Sequence, residues 1–306
     1  MRLALVLNPA ARSGRTGAEA DAVLADARAA GLDATLYRTA APGDGAALAR
    51  AIAASGTVDA VVAVGGDGTV HEVADGLLAA GAPVPLGVVP LGTGNDFVKL
   101  LRTPRDRRGA LAALATAPVR RFDAVRVRWR DGADADWTEG TCVNSLGVGL
   151  DARVAVEAVR FKRFGSLAGY LLGVVAALRR WRSPAARVWL DDAPEPHFAG
   201  PFFLCTVGNG TCSGGSYHLT PDAVPDDGVL DVCTVAEQPL WRVPYLLALA
   251  MRGRHVGQAG VTMARARRVR VEVDAPSALH TDGEVMTSTA RIFEFEIWPS
   301  ALPVLG

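Results

Sequence analysis

Four apolar residues, Val61-Val62-Ala63-Val64, run into Gly65-Gly66-Asp67-Gly68-Thr69 and then Val70-His71-Glu72-Val73. This reads as a buried strand, a turn of three glycines holding one carboxylate, and the first turn of a helix. Glycines at such a junction let backbone N–H groups come close to a ligand, and the helix N-terminus adds partial positive charge. The junction therefore predicts a phosphate cradle. Asp67 is its odd member, because a carboxylate beside phosphate is repulsive unless a metal ion or a proton transfer accounts for it. The same residues also suit a plain strand-to-helix turn capped by Asp67 and Thr69.

Only two lysines occur, Lys99 and Lys162, and neither follows the glycine spacing of a Walker loop. No Gly-x-Gly-x-x-Gly follows the first strand, so a dinucleotide fingerprint is missing. Phosphates bound here would be held by backbone amides, Thr69, an arginine and a divalent cation.

Around this junction the first 120 residues alternate strand and helix patterns. Strands are expected at Arg2 to Leu7, Ala34 to Arg38, Ala60 to Val64 and Leu86 to Pro90. Helices are expected at Gly17 to Ala30, Gly45 to Ala54 and Val70 to Ala80, with a short one through Leu101. That alternation implies a Rossmann-like parallel sheet covered on both faces, whose ligands sit beyond the carboxyl ends of the strands. Asn8 to Gly14, Gly65 to Thr69 and Gly92 to Asn95 lie at such ends. Thr93 and Asn95 suit phosphate or ribose, or simply a cap on the next helix.

Near Arg121 the pattern changes to period-two alternation, at Asp123 to Trp129, Arg187 to Leu190, Leu230 to Val235, Val269 to Val273 and Arg291 to Ile297. A chain of 306 residues is long for one core. The expectation is α/β plus β: an N-terminal nucleotide-binding domain over 1–121 and a β-rich, sandwich-like domain over 122–292.

Zero net charge gives no case for nucleic acid. Four cysteines without a Cys-x-x-Cys pair argue against zinc and for reduced thiols in a cytoplasmic protein. The apolar run at the N-terminus is too short for a signal peptide. Phe164 to Leu178 carries no charge and is flanked by Arg160, Lys162, Arg163, Arg179, Arg180 and Arg182, with Trp181 among them. It is short of the roughly 20 residues that span a bilayer. It suits a helix lying on an anionic membrane surface, or a core helix with solvated ends.

The β-rich half holds three Gly/Asp-dense patches, Val143 to Asp151, Gly208 to Asp231 and His280 to Glu284. Asp227-Gly228 suits a hairpin turn, and such a turn can also set Asp227 with nearby carbonyl oxygens around a hard cation such as Mg²⁺. Asp282 and Glu284 lie two apart, so an extended strand would put both on one face. Two carboxylates there repel unless a metal or a proton sits between them. This makes Asp282 a candidate general base, with Glu284 helping to place metal or nucleotide. His71 and His280 are read as structural.

Gly65 to Thr69 with Glu72, Pro90 to Phe97, Asn209-Gly210, Asp227 to Asp231 and Asp282-Gly283-Glu284 together resemble the diacylglycerol kinase catalytic-domain family. Its soluble bacterial lipid kinases, relatives of sphingosine and ceramide kinases, are the nearest likeness. The resemblance covers nearly the whole chain with every block in order, whereas Gly-Gly-Asp-Gly alone is shared with NAD kinases and phosphofructokinases. It implies ATP between the two domains and a lipid acceptor at the same cleft. Asn8, Thr39, Gly65, Gly66, Asp67, Gly68, Thr69, Val70, His71, Glu72, Thr93 and Asn95 would line the nucleotide. Asp282 would accept the proton with Glu284 beside it. Asp227 and the carbonyls of Val224 and Val229 would match a structural Mg²⁺ site tied to Asp282. The C-terminal strand, about residues 293–306, would return to the first domain. Two departures stand out: His71 replaces a usual asparagine, and the glycine run around Ser213-Gly214-Gly215 is eroded.

The expected activity is ATP- and Mg²⁺-dependent phosphorylation of a lipid hydroxyl, diacylglycerol first among them, at the inner face of the membrane. A homodimer is compatible with this reading. The rival enzyme is an NAD kinase or another soluble-alcohol kinase. The non-enzyme rival is a nucleotide- or lipid-binding regulator.

Overall fold

The computed structural model describes residues 1–11, 14–81, 84–101, 103–158, 160–161, 166–179 and 181–306. Contacts divide the chain into a first unit, 1–123 with 300–306, and a second unit, 124–299.

In the first unit, β1 (Arg2–Leu7), β2 (Asp33–Arg38), β3 (Ala60–Gly65) and β4 (Leu86–Pro90) pair in the order β4-β3-β1-β2, all parallel. β1, β3 and β4 are buried almost throughout, which explains why each reads as a continuous apolar run. Helices α1 (Arg15–Ala18), α2 (Ala20–Ala29), α3 (Asp44–Ser55), α4 (Asp67–Ala80) and α5 (Arg107–Leu114) form the crossovers, with a 3-10 turn at Phe97–Leu100. Gly31, Gly56 and Gly81 follow α2, α3 and α4 with left-handed φ of 72°, 62° and 60°, a conformation that stops a helix. The chain goes from β1 outward to β2, then crosses to β3 on the other side of β1. That reversal point lies between the carboxyl ends of β1 and β3, where ligands of such sheets bind.

The second unit is antiparallel and β-rich. It comprises β5 (Val119–Arg130, which begins in the first unit), β6 (Thr138–Cys142), β7 (Ser145–Gly149), β8 (Ala185–Leu190), β9 (Phe198–Gly208), β10 (Leu230–Ala236), β11 (Val261–Ala266), β12 (Arg268–Thr281) and β13 (Glu284–Leu305). β9 and β12 are long enough to pair with β8 at one end and with β7 at the other. The alternation of β10 divides two cores. Leu230 and Val232 face a cluster with Phe202, Phe293 and Phe295, while Cys233 and Val235 face a second cluster. Helices α6 (Leu150–Ala158), α7 (Ser166–Arg179) and α8 (Val243–Ala250) supply Leu150, Val154, Val174, Ala177 and Val243 to that second cluster.

The chain re-enters the first unit at its C-terminus, where Val304 pairs with Leu86 in parallel. The return comes later than the expected Phe293 to Trp298. Phe293, Phe295 and Ile297 alternate into the second unit's core, and Phe293 and Phe295 pair with Val271 and Val269, so this stretch cannot leave.

Candidate functional site

At the carboxyl edge of the parallel sheet, the registers Leu7↔Arg38 and Leu7↔Val64 set Asn8 level with Thr39 and Gly65, and Gly65↔Pro90 sets Gly66 level with Leu91 one residue further on. The edge is laced by backbone bonds from Asn8 N to Val64 O at 3.3 Å, Thr39 N to Leu7 O at 3.0 Å and Leu91 N to Gly65 O at 2.8 Å. The side chain of Asn8 accepts from Ala10 N at 3.0 Å and shapes the turn after β1.

The two glycine turns abut. A Cβ built on Gly66 would lie 3.0 Å from Gly92 Cα, and one on Gly92 would collide with Gly66 Cα. Asp67 ties them together: its Oδ1 accepts from Asp96 N at 2.6 Å and from Phe97 N at 3.3 Å, at the start of the 3-10 turn. Its carboxylate thus caps the neighbouring turn. Thr69 is buried, and its hydroxyl lies under Gly65, whose missing Cβ makes the space. Val70 is buried and His71 half-buried on α4. Glu72 accepts from Gly43 N and Gly45 N, both at 2.9 Å, and so caps the N-terminus of α3. Asn95, at a left-handed φ of 51°, closes its own loop by accepting from Gly92 N and donating to Gly92 O, both 3.1 Å. Thr93 is exposed at the tip. The sequence signals found the loops; the structure shows that Asp67, Glu72 and Asn95 hold them in shape.

In the second unit, Asp282 (φ 52°) and Gly283 (φ 89°) are the central residues of a two-residue turn joining β12 to β13, with Thr281 opposite Glu284. Positive φ at both positions is the geometry of a type I′ hairpin. The expectation that Asp282 and Glu284 share one face of an extended strand is therefore corrected. The turn sends Asp282 back into the unit, where it is buried, and leaves Glu284 exposed. Asp282 Oδ1 accepts from Asn144 N at 2.8 Å, Ser145 N at 3.1 Å and Cys142 Sγ at 3.1 Å, while Oδ2 accepts from Val143 N at 3.0 Å. Burial, then the Asp282 charge, push the Cys142 thiol well up, so it stays a donor. Asn209 joins the same network, donating from its side chain to Val143 O at 2.9 Å and from its backbone to Asn144 O at 2.8 Å. Three distant blocks, Val143–Ser145, Asn209 and Asp282, are thereby brought together.

Behind the turn, the His280 ring meets Asp151, Nε2 to Oδ2 at 3.1 Å, and Thr206 donates to the same oxygen at 2.9 Å. Burial alone would lower His280, but the Asp151 charge and hydrogen bond hold it above its usual value. Burial likewise would raise Asp151, and the His280 charge with two hydrogen bonds holds it down. The structural reading of His280 stands on this geometry; Asp151, its partner, carried no assignment in the sequence.

Asp227 Oδ1 accepts from Val229 N at 3.2 Å, and its other oxygen pairs with Arg265 of β11. Asp231 is buried, with Arg265 Nε 3.5 Å from Oδ2. Burial raises the Asp231 carboxyl, and Asp227 and Asp222 push the same way against Arg265. Among the described residues no group of three His, Cys, Asp or Glu side chains is gathered tightly enough to hold a metal ion. The hard oxygen donors of this loop and the repulsion between Asp227, Asp222 and buried Asp231 nevertheless fit a hard divalent cation.

On α7, Val174 and Ala177 are buried and Leu172 and Val175 are exposed. Trp181 packs edge-on against Phe203 at 6.4 Å and bonds Ser183 Oγ at 3.2 Å, so it serves the core where a surface anchor was expected. Arg160 pairs with Glu157 at 3.0 Å. Lys162, Arg163, Phe164 and Arg180 lie outside the described residues. No described helix is long and apolar enough to cross a membrane.

A parallel sheet with paired glycine turns at its carboxyl edge, continued by an antiparallel β-rich unit with a buried turn carboxylate, is the build of a two-unit kinase. Residues 2–127 match the diacylglycerol kinase catalytic domain, and residues 144–306 match the YegS C-terminal NAD kinase beta sandwich-like domain. The chain belongs to this lipid kinase family. It is 32% identical over 238 residues to a Stenotrophomonas maltophilia (strain K279a) protein named "Probable lipid kinase YegS-like", covering 74% of this chain and 73% of the relative. It is 28% identical over 227 residues to a diacylglycerol kinase of Mycobacterium tuberculosis (strain CDC 1551 / Oshkosh), covering 74% and 70%. Its fold matches a solved diacylglycerol kinase structure from Bacillus anthracis str. Sterne with a TM-score of 0.69, at 19% identity and 99% and 96% coverage. Yeast NADH kinase matches more distantly, with a TM-score of 0.54 at 10% identity and 99% and 82% coverage.

Proposed function

We propose that the chain transfers the γ-phosphoryl group of ATP to the free hydroxyl of diacylglycerol, giving ADP and phosphatidic acid. The observation that carries this reading is Asp282: a buried carboxylate at a hairpin tip, fixed by three backbone amides, in a chain of the lipid kinase family. In the proposed reaction the acceptor oxygen attacks the γ-phosphorus, its proton passes to Asp282, and the bond to the bridging oxygen breaks with ADP leaving. Such transfers are loose in the transition state and depend mainly on positioning and charge neutralisation. A held carboxylate suits that demand, since orienting the hydroxyl matters more there than high basicity.

The nucleotide is assigned to the first unit. Asn8, Thr39, Gly65 to Glu72, Thr93 and Asn95 would line it, and the bare backbone at Gly66 and Gly92, which lets the two loops touch, would turn their N–H groups toward the phosphates. Asp67, Glu72 and Asn95 would act by holding these loops. Mg²⁺ is assigned to Asp227 with the carbonyls of Val224 and Val229, which would hold it, and it would supply positive charge against the neighbouring carboxylates. Exposed Glu284 would help to place nucleotide or metal. The lipid is met at the inner face of the membrane, to which the protein binds peripherally.

The test is product identification by mass spectrometry. Purified protein is given ATP and Mg²⁺ with diacylglycerol, a sphingoid alcohol or NAD. Phosphatidic acid as the main product supports the reading. Phosphorylation of NAD alone would overturn the lipid assignment, and of the sphingoid alone the diacylglycerol assignment.

A further inference from the structure

Helix α8 is apolar on both sides. Its inner side seats Val243 and Leu247 in the cluster beneath the helices, and Ala250 is also buried. Its outer side, with the 3-10 turn Leu240–Arg242 before it, exposes Leu240 (61%), Trp241 (79%), Tyr245 (52%) and Met251 (42%). Positions 241, 245, 248 and 251 follow helical spacing, so they form one stripe along the helix. An amphipathic surface helix would put polar residues there. α7 covers the same face of the sheet and exposes Leu172 and Val175 in the same manner.

The two chain segments that carry this face are poor in carboxylates. No Asp or Glu occurs from Ala158 to Leu190 or from Gln238 to Val271, although the chain holds 32 of them in 306 residues. Arg179, Arg182, Arg252 and Arg254 are exposed at the helix ends. Arg242 is used internally, donating to Gln238 Oε1 at 2.7 Å and Ala259 O at 3.1 Å, and so holds the turn that presents Trp241. Glu237 is exposed just before the turn, but the face itself sets exposed tryptophan and tyrosine beside leucine with arginines at the helix ends, the composition that enters the headgroup layer of an anionic bilayer.

We propose that the outer face of α8 and its preceding turn, with Trp241 at its head, is the surface by which this protein docks on anionic membranes. This rests on the reading of the acceptor as a membrane lipid, and it moves the docking site from the α7 arginines to a helix that sequence reasoning passed over. Apolar side chains enter the headgroup layer while Arg252 and Arg254 meet lipid phosphates. Neutral overall charge makes such local attraction necessary.

Flotation with phosphatidylglycerol/phosphatidylcholine vesicles lacking diacylglycerol and ATP tests docking apart from catalysis. The wild type should bind, with a blue shift of tryptophan emission that is lost in Trp241→Ser. The pair Trp241→Ser/Tyr245→Ser, and separately Arg252→Glu/Arg254→Glu, should weaken binding by roughly tenfold or more. Both should keep the wild-type melting temperature and the wild-type rate on a short-chain soluble diacylglycerol. Failure of every form on that soluble substrate, with vesicle binding intact, would reject the kinase reading and leave docking standing. Undiminished vesicle binding by both variants would overturn the proposal. So would equal binding to pure phosphatidylcholine, or a wild type that ignores vesicles but forms a dimer broken by Trp241→Ser.

Discussion

Asp67 of the first glycine turn accepts a 2.6 Å hydrogen bond from the backbone N–H of Asp96 in the second. This bond answers the question that a carboxylate among phosphate-binding glycines raises. The charge is aimed at the amides of the adjoining turn, where it fixes the spacing of the two loops. Replacing Asp67 with Ala removes the acceptor for two amides and should lower stability by about 1–3 kcal/mol. Denaturant unfolding and ATP titration check it, and ATP affinity should fall with stability. Unchanged affinity would separate Asp67 from the nucleotide loops.

The contact between Gly66 and Gly92 makes a second prediction. Gly92→Ala places a methyl against Gly66 Cα, and Gly66→Val sets a branched side chain against Gly92 Cα, so each pushes apart the loops to which phosphate is assigned. Both variants should stay folded by circular dichroism and lose most ATP binding. A folded Gly92→Ala protein with normal affinity would show that the loops can part without harm.

The Asp151–His280 pair predicts a pH dependence. His280 is more basic folded than unfolded, so its contribution is full below its ordinary value of 6.5 and is lost as pH rises through the raised folded value. Asp151 is more acidic folded, so its contribution is present above 3.8 and is lost as pH falls through the lowered value. The stability gap between wild type and His280→Asn should be widest at mildly acidic pH and shrink at alkaline pH. Asp151→Asn, which leaves the partner buried, should destabilise by about 3–5 kcal/mol. Chemical denaturation across pH measures both, and a pH-independent gap would refute the ion pair.

The Asp227–Asp231 loop predicts stabilisation by a divalent cation. Saturating Mg²⁺ should raise the melting temperature of the wild type by about 2–4 °C. Asp227→Ala should abolish that rise. A rise of equal size in the variant would place the ion elsewhere.

Much of this architecture is legible in the residues. Arg2–Leu7 and Leu86–Pro90 stand out because buried parallel strands are unbroken apolar runs, and the glycines after α2, α3 and α4 mark their ends. Partners distant in sequence leave no such mark. Asp67 meets Asp96 across 29 positions, and Glu72 reaches back to the amides of Gly43 and Gly45. β6, β7 and β9 give no clear strand signal because their glycines and mixed small residues blur the period-two alternation. The Asp282-Gly283 turn was readable, since Asp-Gly between two strands is a hairpin signal. Treating the segment as extended put Glu284 on the wrong side. Asn144 and Asn209 sat in Gly/Asp-dense patches, but only the fold brings them to Asp282.

In the proposed reaction Asp282 receives the proton of a lipid hydroxyl. Asp282→Asn removes the base and keeps one accepting oxygen, for Asn144 N and Ser145 N, but loses the bond from Val143 N. The melting temperature read on the same samples therefore separates holding the turn from chemistry. The measurement is the turnover of diacylglycerol in anionic mixed micelles, beside calorimetric ATP affinity and melting temperature for the same samples. The variant should lose about 100-fold or more in kcat, keep ATP affinity within a few-fold of wild type and stay folded. Near-normal turnover by a folded Asp282→Asn enzyme would contradict that role of Asp282.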